Sequence, residues 1–318
     1  MHLANGDPAN STGVTEFLLL GFGDLGDLDF LLFLLFLVIY MATMVGNMLI
    51  IMLVVLDHSL HSPMYFFLGN LSCLEICYSS SIVPKMLSGL LHHFSVISVA
   101  GCMAQYYFFG FLAVAECYLL AVMSYDRYVA ICKPLLYVTL MDSKSCFQLV
   151  VGSWLNSSLV ASLTIYLMQQ LTFCGPNKID HFFCDYRPLL KLSCSDTHAT
   201  EWITILLAGV CSLPPFVLTL ATYTYIILAI LRIPSNLGRQ KAFFTCSSHL
   251  TVVSIFYGTI MIVYLLRAEA LQNLNKIFSL FYVVLTPLLN PLIYSLRNKE
   301  VKDALRKVLK FLAHKTTL

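Results

Sequence analysis

Seven apolar runs, each long enough to cross a hydrocarbon core about 30 Å thick, constrain this chain more than any other feature. They cover residues 29–56, 63–91, 99–132, 146–169, 202–231, 242–266 and 277–296. Lipid offers no water to satisfy a bare backbone N–H or C=O, so runs of this length predict helices. The expected fold is all-α, a seven-transmembrane helix bundle. Only 11% of the 318 residues are charged and 58% are hydrophobic, whereas a soluble domain carries about a quarter charged residues. The net charge of +2 is too small to imply a nucleic-acid partner.

Basic residues choose the orientation, because they are retained on the cytoplasmic side. With the N-terminus outside, inner segments hold twelve: Lys133, Lys144, Arg232, Arg239, Lys241 and seven more from Arg297 to Lys315. Outer loops hold five, namely Lys178, Arg187, Lys191, Arg267 and Lys276. Residues 1–28 then form an extracellular tail, 29–296 the membrane domain and 297–318 a cytoplasmic segment. The tail holds four acids and no Lys or Arg, so it lacks the basic flank of a cleavable signal peptide, and the first helix should act as the insertion signal. Val301, Leu305, Val308 and Leu312 recur at helical spacing among Lys and Arg, which predicts a short amphipathic C-terminal helix on the inner leaflet.

Topology also sorts the cysteines and the sequons. Of eleven cysteines, only Cys102, Cys174, Cys184 and Cys194 fall on the oxidising outer side, and four allow three pairings. Asn10-Ser11-Thr12 lies in the outer tail, whereas the sequons at Asn70 and Asn156 fall inside helices, so Asn10 is the expected glycan acceptor.

Asp126 and Arg127 stand at the cytoplasmic end of the third run. A snorkelling Arg at a membrane boundary would explain the pair taken alone. The third helix, however, carries a polar track: Phe109 is five turns from Arg127, and Glu116 falls on nearly the same face. The second run adds Glu75 near mid-membrane. Two intramembrane carboxylates repel, so they should share a proton, hold a cation such as sodium, or face the amides of Asn47 and Asn290. No nucleotide loop, nucleophile motif or His-rich metal spacing is present, so an enzyme is not expected and no cofactor beyond that ion is implied. A secondary transporter would also bury carboxylates, but the chain lacks internal repeats. An amine receptor would need an acid in the outer part of the third helix, where Phe109 stands.

Several stretches together resemble a vertebrate olfactory receptor, a branch of the rhodopsin-like G-protein-coupled receptors. They are Gly46-Asn47, "PMYFFLGNLS" from Pro63, "MSYDRYVAICKPL" from Met123, Thr222-Tyr223, "KAFFTCSSHL" from Lys241, "FYGT" from Phe256 and "PLLNPLIYSLRN" from Pro287. The resemblance runs from about Gly46 to Asn298, with Ser124, Phe244 and Glu75 replacing the commoner Ala, Ser and Asp. It implies an odorant receptor of the plasma membrane that binds small volatile, mostly apolar ligands and activates a stimulatory G protein, raising cyclic AMP. It further implies Cys102–Cys184 and Cys174–Cys194 disulfides. Switching and G-protein coupling would fall to Asp126, Arg127, Tyr128, Tyr223, His249, Asn290, Pro291 and Tyr294, with Arg127 resting on Asp126 when inactive and turning toward Tyr223 and the G protein when active. Pro287 and Pro291 each remove a backbone hydrogen bond and make the seventh helix bendable. An apolar ligand would meet Phe109, Gly110, Ala113 and Val114 on the third helix, Leu207 and Cys211 on the fifth, Tyr257, Ile260, Met261 and Tyr264 on the sixth, and Tyr282 on the seventh.

Overall fold

Proline and short polar residues mark where each apolar run becomes a helix. The computed structural model describes residues 14–174, 177–265, 272–297 and 299–316. Helix α1, Asp27–Leu56, opens with Asp27 and Asp29 in its first turn, where the helix dipole favours acids. Helix α2, Pro63–His92, begins on a proline, whose missing N–H would have no intrahelical partner there. Ser98 caps α3, Val99–Cys132, by accepting from the Gly101 amide at 3.1 Å. Asp142 does the same for α4, Ser143–Gln169, accepting from the Ser145 amide at 2.9 Å. Bonds from the Ser145 hydroxyl and amide hold the Asp142 carboxyl below its ordinary range.

Helices α5, His198–Leu231, and α6, Asn236–Leu265, begin earlier than their apolar runs because polar first turns precede them. Helix α7 is built from Gln272–Leu280, a π-helical turn Phe281–Leu285, and Thr286–Arg297. Helix α8 is Lys299–Thr316. By length and composition, α1 to α5 and the Lys276–Ile293 part of α7 can each cross a membrane. The 30 residues of α6 reach about 45 Å, which is also sufficient.

Helix α3 is the axis of the bundle and packs on α2, α4 and α5. Of its most apolar window 56% is buried, against 17% for α1. On α1, Phe30, Leu34, Val38, Met41 and Val45 face outward, as lipid-facing side chains must, while Phe36, Thr43, Asn47 and Ile50 form the buried stripe. Helix α8 docks its apolar face through Val301 and Ala304. Two polar contacts fasten it: Tyr65 donates to Glu300 at 2.6 Å, and Lys307 meets Asp57 at 3.1 Å. Hydrogen bonds from Ser59, with that lysine, pull the Asp57 carboxyl down to about 2.

One element departs from the all-helical expectation. Strand β1, Glu16–Leu19, pairs antiparallel with β2, Ser95–Ser98, and parallel with β3, Lys178–Ile179. Residues expected to form a bare tail are therefore built into the end of the bundle, with Phe17 and Leu19 buried against Cys102, Cys184 and Leu189. Four residues whose strand partners lie far away in the chain leave no local pattern to read.

Candidate functional site

At the end of the bundle that carries the sheet, disulfides join Cys102 to Cys184 and Cys174 to Cys194, with Cα separations of 5.5 and 5.9 Å. Gln105 reinforces the first bond: its Nε2 donates to the Ser81 carbonyl at 2.9 Å and its Oε1 accepts from the Cys184 amide at 3.0 Å. The loop so anchored buries Phe182 and Phe183. The Phe109 ring centroid lies 5.0 Å from that of Phe183, 5.6 Å from Tyr78 and 5.8 Å from Tyr282. The His181 ring centroid lies 4.6 Å from those of both loop phenylalanines, tilted on Phe182 and edge-on to Phe183. Burial, aided by Lys276, pushes its imidazole down to about 3, so it is neutral at physiological pH. Lys276 pairs with Asp180 at 2.5 Å and donates to the Gly21 carbonyl at 3.1 Å.

Halfway along the bundle, Glu75 and Glu116 are both buried. Asn290 donates to Glu75 Oε1, and the two carboxyl groups are close neighbours. No donor among the described residues reaches Glu75 Oε2 or Glu116 Oε1. Buried carboxylate oxygens left in this way fit a proton held between them or a small hard cation.

Asn47 does not join this pair, contrary to expectation. Its Nδ2 donates to the Thr43 carbonyl at 3.0 Å and to the Pro287 carbonyl at 3.1 Å. The second bond has a local cause: Pro291 lacks the N–H that would have bonded residue 287 four positions back, so that carbonyl needs another donor. Gly46 makes the approach feasible, because a Cβ there would meet Pro291 Cβ and Cγ at 3.2 Å. The "GN" pair of α1 is thus explained by a proline of α7.

At the opposite end Arg127 Nε and Nη2 donate to Asp126 Oδ2 at 3.0 and 2.8 Å, and the Tyr137 hydroxyl donates to Asp126 Oδ1 at 2.9 Å. The Asp126 side chain is wholly buried and that of Arg127 is 18% exposed. Tyr223 on α5 and His249 Nδ1 on α6 are hydrogen-bonded at 2.5 Å. Thr222 donates to Ser124 at 3.2 Å, fastening α5 to α3. Tyr128 packs its ring 5.9 Å from Tyr225, under the Lys133 ammonium at 5.8 Å.

The family profile described as olfactory receptor matches residues 36–312. This chain belongs to the olfactory receptor family. Human olfactory receptor 11A1 is 52% identical over 303 residues, covering 94% of this chain and 96% of that one. Human olfactory receptor 11L1 is 50% identical over 306 residues, covering 96% and 95%. Mouse olfactory receptor 5P58 is 47% identical over 304 residues, covering 95% and 94%. Squid rhodopsin superposes with a TM-score of 0.66 over 90% of this chain and 86% of its own, at 17% identity, a likeness of fold. As an olfactory receptor the protein is a signalling receptor with the seven-helix fold, not an enzyme.

Within this receptor, the residues proposed from sequence to meet a ligand fall into distinct settings. Phe109 and Tyr282 come together beneath the disulfide-anchored loop. Tyr257 instead donates to the Cys117 carbonyl at 3.3 Å and packs its ring, tilted, 4.9 Å from that of Phe216. It also lines an apolar cleft of about 310 Å³ between α5 and α6, with Phe216, Thr219, Tyr223 and Val253. Cys211 is buried, Leu207, Ala113 and Val114 are half-buried, and half-buried Gly110 has open space where a Cβ would stand. Ile260, Met261 and Tyr264 are on α6 and Tyr294 is on α7, but their side chains lie outside the described residues, as does Asn10. Phe183, Tyr78, Gln105 and Tyr137 were not anticipated. Their roles arise only from partners distant in sequence.

Proposed function

We propose that this receptor takes a small, volatile, mostly apolar odorant into the half of the bundle beneath the disulfide-anchored loop and, at the Arg127 end, activates a stimulatory G protein that raises cyclic AMP. The observation that carries this reading is the buried Asp126–Arg127–Tyr137 set at the end remote from the aromatic cluster. A buried ion pair is a costly way to hold a helix still, and it suits an element with two packings. In the arrangement seen here Arg127 rests on Asp126 while Tyr223 is engaged by His249, which matches a quiescent receptor.

The charge asymmetry supports a plasma-membrane protein with residues 1–28 extracellular, 29–296 in the membrane domain, and 297–318 cytoplasmic along the lipid surface, with Asn10 as the glycan acceptor. The Glu75–Glu116 pair would hold a sodium ion or a shared proton in the quiescent state, its charge satisfied partly by Asn290. In transfected cells an odorant mixture should raise cyclic AMP, and Arg127→Lys should lower that response at equal surface expression because Lys lacks the planar fork. A response through calcium alone would overturn the assignment of the G protein. For the carboxylates, Glu116→Gln should change basal signalling or its sodium dependence; if both stay at the parental level the ion-holding role is wrong.

A further inference from the structure

Where α1 begins and α2 ends, three ligand atoms converge outside the bundle interior. His93 Nδ1 lies 3.0 Å from Asp29 Oδ2 and 3.8 Å from Asp24 Oδ1, and the three atoms fall within 4.8 Å of one another. Zinc bonds of about 2.0–2.1 Å at tetrahedral angles separate neighbouring ligand atoms by about 3.4 Å, which lies between the two measured separations. Asp29 supplies an independent sign of a missing partner. Its side chain is only 6% exposed, and its second oxygen, Oδ1, is buried with no hydrogen-bond partner among the described residues. A carboxylate turning bidentate onto a metal would use that oxygen.

We propose that Asp24, Asp29 and His93 form a zinc site that fastens the start of α1 to the end of α2. Imidazole nitrogen with two carboxylates suits zinc better than calcium or magnesium, whose preferred ligands are all oxygen. Three protein ligands leave the fourth position to water. Ligation uses the Nδ1 lone pair, so the ring's single proton then sits on Nε2. Backbone geometry aids the convergence: His93 ends α2 at φ 60, which turns the chain back toward α1.

The test is calorimetric titration of zinc chloride into the purified full-length receptor at neutral pH, beside His93→Asn and Asp24→Asn. Asn adopts the left-handed conformation readily, and Asn at position 24 can still accept the Gly26 amide, which Asp24 Oδ1 accepts at 3.0 Å. Both parent side chains are more than half exposed, so folding is not at stake. Each variant should lose one zinc equivalent or bind it at least about tenfold more weakly, and the zinc-dependent rise in unfolding temperature should shrink with it. Parental zinc affinity in either variant overturns the site.

Discussion

At one end of the bundle two disulfides, a three-stranded sheet and the Lys276–Asp180 pair hold the long loop against α3 and α7, whereas at the other the contacts are polar pairs: Asp126 of α3 takes bonds from Arg127 and Tyr137, and Tyr223 of α5 bonds His249 of α6. Covalent links and a sheet resist rearrangement. Polar pairs exchange partners at a cost of a few kcal/mol. On the proposed function, a ligand settling under this fixed roof would be felt where the packing is reversible, at the Arg127 end.

The largest effect that can break this contrast lies in the disulfides. Cys102–Cys184 closes 82 residues and Cys174–Cys194 closes 20, so chain entropy assigns them on the order of 4.5 and 3.3 kcal/mol. Cys102→Ser should therefore lower thermal stability and surface expression more than Cys174→Ser. The reverse order would show that the roof is held mainly within the loop.

His181 sharpens the same end. Its folded state stays neutral down to about pH 3, while the unfolded chain takes up a proton below 6.5. Between those values the unfolded state binds more protons, so stability is complete above 6.5 and falls as pH drops, by up to about 1.4 kcal/mol per unit. His181→Phe should flatten this part of the stability profile, read by unfolding at stepped pH. Lys276 and Asp180, the charges that act on the ring, remain in the variant.

At the reversible end Asp126→Asn removes the carboxylate from beneath Arg127, and a bias of even about 1.4 kcal/mol would raise the active population roughly tenfold. Basal cyclic AMP should rise. Tyr137→Phe removes only one donor to Asp126 and leaves both guanidinium bonds in place, so it should raise basal signalling by a smaller factor. Parental basal levels in both variants at matched expression would return Arg127 to the role of a snorkelling side chain.

The sequence by itself determined the seven spans, because apolar length and backbone satisfaction in lipid are local properties. It also carried the face shared by Phe109, Glu116 and Arg127, since helical periodicity places them without knowledge of any neighbour. Family motifs supplied the Cys102–Cys184 pairing and the resting place of Arg127, although composition left three pairings open. Only the tertiary structure decided partners: Asn47 on the Pro287 carbonyl instead of on the carboxylates, Tyr137 on Asp126, Phe183 against Phe109, and β1 between two strands from distant loops. Each of those contacts joins residues that are not neighbours on one helix. Their energies depend on where separate helices come to rest, which no local period records.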